Sequence, residues 1–334
     1  MAIPLCTFRP DPETGCATYP TEGELIEIPG KSRAIPVFAD SDAQDEKISI
    51  FNLKPLPTDE AVHFYHHEDA YTAFVVWSGR FEFWNGDKGH ELGSGDFAFI
   101  PPNSVYGFQS LEEDSELLVF TTLDNHADLF ESIGHGYSKI LHLDSSDIHV
   151  IDDYHPPELI NFIEPDSDLP TFLQPYFLRV TSSPRWIFGG VMSRPCVRSA
   201  QCEGKFSISA MESSHIEDAR PFGNRWLSFT RVDHCFCVIE GVFRIKFKDD
   251  DEWSVVEEGQ AIVVSARQYF SAEVGSDFTR IITLANGPGI DELVCKAGSE
   301  CDSVVLPEVS DHHWDGWDEI RFKSACVEVG ALVE

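Results

Sequence analysis

A short block of β-type sequence occurs twice in this chain, and the duplication constrains the fold more than any other feature. In the first copy, Gly79-Arg80-Phe81-Glu82-Phe83-Trp84 runs through a charged turn to Gly95-Asp96-Phe97-Ala98-Phe99-Ile100-Pro101. In the second, Gly241-Val242-Phe243-Arg244-Ile245-Lys246 runs through Asp249-Asp250-Asp251 to Gly259-Gln260-Ala261-Ile262-Val263-Val264-Ser265. The same order of glycine, hairpin and second glycine returns after about 160 residues, a period that fits a whole domain rather than a solenoid repeat. Each copy continues into one more apolar strand, Leu117 to Leu123 and Arg280 to Leu284. The chain therefore reads as two copies of one β-barrel, and its 334 residues suffice for two cores of that size.

Strand signals dominate elsewhere too. Short runs of β-branched and aromatic residues sit between Gly, Pro, Asn and Asp punctuation, as in 47–53 and 73–77. Helical periodicity is confined to 125–133 and 157–163. The predicted organisation is an N-terminal barrel over 1–143, an acidic, proline-bearing linker over 144–172, and a C-terminal barrel with its tail over 173–334. The segment Asp311-His312-His313-Trp314-Asp315-Gly316-Trp317 reads as a polar tail anchored by two Trp residues, or as a closure over a barrel mouth.

Charge narrows the function classes. Against 24 Lys and Arg stand 57 Asp and Glu, a formal net charge of −33. A surface of that sign repels phosphate backbones and anionic lipid, so neither nucleic acid nor membrane is expected as a partner. No apolar segment at the amino terminus reads as a signal peptide, and the nine cysteines are odd in number and scattered, so a cytoplasmic protein with reduced thiols is expected. Cys235-Phe236-Cys237 is a C-x-C on a strand; with no second pair at matching spacing it does not predict structural zinc. The 25 Phe and 7 Trp suit a pocket for a flat organic ligand as well as a core. Monomer and homodimer remain equally open.

Three stretches carry a family resemblance: Glu91-Leu92-Gly93-Ser94-Gly95-Asp96-Phe97-Ala98-Phe99-Ile100-Pro101, Asp128-Leu129-Phe130, and Pro175-Tyr176-Phe177. They resemble fungal quercetin 2,3-dioxygenases, which are bicupins. The resemblance implies an all-β fold of two double-stranded β-helix (jelly-roll) barrels with a few short helices. In that family three histidines and a glutamate of the first barrel hold one divalent metal. Here the matching positions are Tyr65, His67, Thr72 and Tyr106, so one of four ligands remains. In the second barrel they are Leu227, Phe229, His234 and Phe270.

The expectation that follows is an enzyme without a metal cofactor. Its catalytic groups would be Tyr65, His67, Tyr106 and His63, and its substrate wall Thr72, Phe74, Phe81, Phe83, Trp84 and Phe108. On an extended strand His63, Tyr65 and His67 point one way, and His66 and Glu68 the other. Histidine and tyrosine together can move protons and orient an oxygenated ligand. By analogy with repurposed scaffolds, the resemblance suggests a cyclase of natural-product biosynthesis (hetero-Diels–Alder type), a dehydratase or an isomerase. The substrate would be a flat oxygenated polycyclic or phenolic molecule. Two alternatives stay open. One is a ring-cleaving dioxygenase with one Fe, Cu, Ni or Mn held by an unusual set drawn from His63, His66, His67 and Glu68. The other is a non-catalytic binding bicupin. In the second barrel Arg231 is expected either inward, as a carboxylate or enolate binder, or in a structural ion pair with Asp233 or Glu240.

Overall fold

The computed structural model describes residues 17–18, 26–28, 32–39, 49–55, 62, 64–122, 148–150, 155, 168–214, 225–306 and 318–334. They divide into two compact units, and each contains two antiparallel sheets. The all-β, two-barrel architecture expected from the repeat is what forms.

In the N-terminal unit, a five-stranded sheet has the order Ile148–Val150, Phe64–His67, Tyr106–Ser110, Arg80–Asn85, Lys88–Gly93. A seven-stranded sheet has the order Tyr176–Arg179, Asp96–Ile100, Thr72–Ser78, Glu116–Thr121, Ser49–Lys54, Ser32–Ala39, Ile26–Ile28. Side chains alternate across a strand, so one set from each sheet meets in a common core. That core includes Phe51, Phe74, Phe81, Phe83, Val119 and Phe177, all buried.

The C-terminal unit repeats the plan. Its eight-stranded sheet includes His234–Glu240 between Ala261–Val264 and Thr279–Ala285, and its five-stranded sheet includes Val242–Phe247 beside Phe270–Val274. Phe229, Phe236, Phe243, Phe270, Leu293 and Phe322 fill the interior.

The duplicated glycines have a stereochemical reason. Gly79 and Gly241 open the equivalent hairpins with φ of +79° and +81°. A Cβ at either would lie 2.1 Å from a neighbouring oxygen, Ser115 Oγ in one copy and Phe278 O in the other. Any side chain would both strain the backbone and collide, so only glycine fits.

One expectation changes. The unit boundaries are not 143 and 173. One unit comprises 21–40 and 47–180, the other 1–20, 41–46 and 181–334. Strand Ile148–Val150, inside the presumed linker, pairs with Phe64–His67, and Tyr176–Arg179 pairs with Asp96–Ile100. Conversely, Ala17 and Thr18 pair with Ile262 and Ala261 of the C-terminal unit. Sheet edges present unpaired backbone groups, and short flanking segments satisfy them whatever their composition. The helices expected over 125–133 and 157–163, and the 311–317 tail, lie outside the described residues. The α-helices that are described are α1, Ile290–Ala297, and α2, Glu319–Val329. Helix α2 carries signals that a sequence reading could have used. Asp318 Oδ1 accepts the N–H groups of Ile320 and Arg321, and Gly330 ends the helix at φ +70°.

Candidate active site

The N-terminal barrel buries a cluster of polar side chains that packing alone does not require. Tyr65 and Tyr106 are cross-strand partners, with ring centroids 5.8 Å apart. His67 lies two residues along the same face, and its Nε2 is 2.8 Å from Tyr106 Oη. With the imidazole proton on Nδ1, the phenol donates to Nε2; with Nε2 protonated, the phenol oxygen accepts. The bond therefore serves in either direction of proton transfer. Thr72 and Thr121 are cross-strand partners whose hydroxyls meet at 3.3 Å.

Burial sets the acid strength of the phenols. It pushes Tyr65 up to about 12, and it pushes Tyr106 well above the ordinary phenol value, with the neighbouring Tyr65 adding to the shift. Both keep their protons at neutral pH, because a phenolate here would lose its hydration. Tyr65 differs from its neighbour in one respect: its hydroxyl has no hydrogen-bond partner among the described residues.

The aromatic wall is contiguous. Phe74 contacts Tyr106, Phe83 and Phe108 at centroid distances of 5.6, 5.0 and 5.5 Å. Phe83 stacks on Phe108 at 5.7 Å, and Phe81 is fully buried one step further along the same strand face. Trp84 is the exception. It follows Phe83 by one residue and therefore points to the opposite face of the sheet, where it packs edge-on against Phe64 at 5.7 Å. It is not part of this wall. His63 lies outside the described residues.

The structure adds residues that the sequence reading did not single out. Asn85 is the cross-strand partner of Tyr106 on the side away from Tyr65, and His90 is the partner of Phe83. His90 packs against Phe177 at 4.6 Å. The alternation Phe81, Phe83, Asn85 was visible in the sequence, but the hairpin register that brings His90 beside it was not.

The implied metal finds poor ligands here. A divalent redox ion needs three or four converging nitrogen or anionic oxygen donors. Tyr65 and Tyr106 hold their protons, Thr72 offers a neutral hydroxyl engaged with Thr121, and the Nε2 of His67 is taken by Tyr106. Among the described residues no three His, Cys, Asp or Glu side chains converge as a metal would require. The described donors do not fit the ion.

In the C-terminal barrel three of the four equivalent positions carry hydrocarbon. Leu227 and Phe270 are cross-strand partners, and both are buried with Phe229. His234 lies inside this aromatic layer, 4.4 Å from Phe229 and stacked on Phe236 at 5.6 Å. Its Nε2 accepts the Ile290 N–H at the start of α1. Burial pulls this imidazole down to about 3, so it is neutral and structural. One residue along α1, burial raises the Asp291 carboxyl to about 7, with adjacent Glu292 adding to the shift and the bond to Ser207 opposing it. Arg231 is exposed, which removes the inward reading. Asp233 instead bonds the Asn286 side chain and the Ala266 N–H, and Glu240 lies 3.7 Å from Arg280.

Comparison with known proteins agrees with this architecture. The family described as Cupin domain matches residues 51–122. Quercetin 2,3-dioxygenase of Bacillus subtilis is 22% identical over 234 residues, which cover 65% of this chain and 66% of that protein, just under two thirds of its length. Among solved structures, protein Ylba from E. coli superposes with a TM-score of 0.51 at 12% identity, covering 81% of this chain and 90% of that one. A variant of Bacillus subtilis oxalate decarboxylase gives 0.50 at 12% identity, covering 95% of this chain and 88% of that one. At such identities the structural likeness speaks for the fold alone. No helix among the described residues is long and apolar enough to cross a membrane. Residues 51–122 thus match the cupin domain family within a bicupin-like, all-β fold, and the chain is distantly similar to quercetin 2,3-dioxygenase.

Proposed function

We propose that the N-terminal barrel is the active site of a metal-independent enzyme of natural-product biosynthesis. Its substrate is a flat, oxygenated polycyclic or phenolic molecule, and its reaction a cyclisation of pericyclic or hetero-Diels–Alder type, a dehydration or an isomerisation. The observation that carries this reading is the His67 Nε2 to Tyr106 Oη bond of 2.8 Å beside the unpartnered Tyr65 hydroxyl.

Each group has a task its environment suits. Tyr65, protonated and unpartnered, donates to a substrate carbonyl or quinone-methide oxygen and stabilises charge that develops there. The His67–Tyr106 pair gives or takes one proton without exposing a charge to solvent. Phe74, Phe83 and Phe108 hold a flat ring system in register, which is the larger part of what a cyclisation asks of a protein.

A second reading, a ring-cleaving dioxygenase, is favoured by the distant similarity to quercetin 2,3-dioxygenase. Metal analysis by plasma mass spectrometry separates the two. Folded protein with well under one equivalent of Fe, Cu, Ni or Mn is expected; near-stoichiometric metal that chelation removes together with turnover would establish the dioxygenase instead.

A further inference from the structure

Asn85 presents a buried acceptor with no hydrogen-bond partner among the described residues. The residue is 1% exposed, on the same strand face as Phe81 and Phe83. Its Nδ2 donates to the carbonyls of Phe99 at 2.8 Å and Tyr176 at 3.1 Å. Those two bonds fix the amide, since exchanging nitrogen for oxygen would set an oxygen against two carbonyls. Oδ1 is thereby committed to its position, without a hydrogen-bond partner among the described residues. Leaving a buried acceptor unpaired costs about 1–3 kcal/mol, so such an atom in a native interior calls for an explanation.

Its position supplies one. Tyr106 pairs with Tyr65 on one side and with Asn85 on the other, so the three side chains form a row across adjacent strands of one barrel face. Neighbouring strands lie about 4.8 Å apart, which puts the ends of the row about 10 Å from each other. One end, Tyr65, is an unpartnered donor, and the other, Asn85, is an unpartnered acceptor. Between them Tyr106 is already bonded to His67.

Building on the site proposed above, we infer that Asn85 Oδ1 reads a hydroxyl of the ligand, so that the barrel selects flat ring systems bearing a hydroxyl at one end and a carbonyl at the other. The carbonyl takes the Tyr65 proton and the hydroxyl donates to Asn85. A ring system of the same shape without hydroxyls leaves Oδ1 unpaired and loses affinity. Asn85 is a specificity residue in this scheme and takes no part in proton transfer.

Quercetin and flavone are suitable probes, because they share the ring skeleton and the carbonyl while flavone lacks every hydroxyl. Binding of each is measured by fluorescence quenching on wild-type, Asn85→Leu and Tyr65→Phe proteins, with folding checked by circular dichroism. Wild type is expected to prefer quercetin by about ten-fold, one buried hydrogen bond. Asn85→Leu abolishes that preference, and Tyr65→Phe weakens both compounds alike. An unchanged preference in Asn85→Leu overturns the inference. Should Asn85→Leu fail to fold, equal affinity of wild type for the two compounds overturns it directly. Binding of neither compound, or binding indifferent to Tyr65→Phe, overturns the site reading itself along with the inference.

Discussion

The two barrels share a scaffold and differ in what they enclose. Both open their hairpins on glycines in the same left-handed conformation, and both pack phenylalanines between two antiparallel sheets. At matching positions one holds Tyr65, His67, Thr72 and Tyr106, and the other Leu227, Phe229, His234 and Phe270. Three of the four side chains in the second set are hydrocarbon, and the fourth, His234, bonds the backbone at the start of α1. Burying hydroxyls and imidazole in place of hydrocarbon stabilises nothing by itself. The polar row of the first barrel is therefore a cost that apolar packing alone does not explain.

Five substitutions test that contrast. The largest effect belongs to the hydrocarbon barrel. Phe236→Ala opens a cavity between His234, Phe243 and Phe270 and should lower the stability of that unit by about 3–5 kcal/mol in denaturant titration. Ligand affinity of the other barrel is expected to stay put, and a parallel loss would mean the two interiors are not independent. Next, His67→Ala and Tyr106→Phe should each reduce kcat by about 100-fold, roughly 2.7 kcal/mol of barrier, in protein that still folds by circular dichroism. Full activity in both would place the chemistry elsewhere.

Transplanting polarity gives the converse. Phe270→Tyr puts a phenol into the apolar barrel, where burial without a partner should cost about 1–3 kcal/mol of stability and confer no binding. If it costs nothing, the second barrel tolerates polar groups and the contrast weakens. The smallest effect is expected from Trp84→Phe, whose ring packs on Phe64 behind the sheet. Steady-state rates should stay within about two-fold of wild type, since the contact it loses does not face the site. A larger drop in kcat would bring Trp84 back into the substrate wall.

How much of this was legible before the fold was known depends on which signals are local. Gly79, Gly95, Gly241 and Gly259 act through their own backbone angles, so the duplicated barrel could be read from them directly. Strand alternation placed Tyr65 and His67 together, and the family resemblance brought in Tyr106 from a distant strand. Alternation also separates Trp84 from Phe83, and applying it to Arg80–Asn85 would have removed Trp84 and put Asn85 in its place. The roles of Thr121 and His90 depend on cross-strand register, which no local pattern reports. The boundaries failed for a similar reason, because short edge strands such as Ile148–Val150 take their structure from the neighbour they pair with.

The start of helix α1 has a consequence for the proton inventory of folding. In the unfolded chain near pH 5, Asp291 with its ordinary value of 3.8 is ionised and His234 with its ordinary value of 6.5 carries a proton. In the folded unit both are neutral: the carboxyl keeps a proton up to about 7, and the imidazole refuses one down to about 3. The raised carboxyl value makes folding more favourable at low pH and loses that contribution as pH rises from about 4 through 7. The depressed imidazole value acts in the opposite sense, losing stability as pH falls below about 6.5. Between about 4 and 6.5 the two cancel, and unfolding exchanges no net proton on their account. Asp291→Asn should uncover a stability that declines toward acid, and His234→Leu one that declines toward neutrality. In the intact chain two buried titrations mask each other, so a flat stability profile there would conceal a proton passing, in effect, from an imidazole to a carboxylate each time the unit folds.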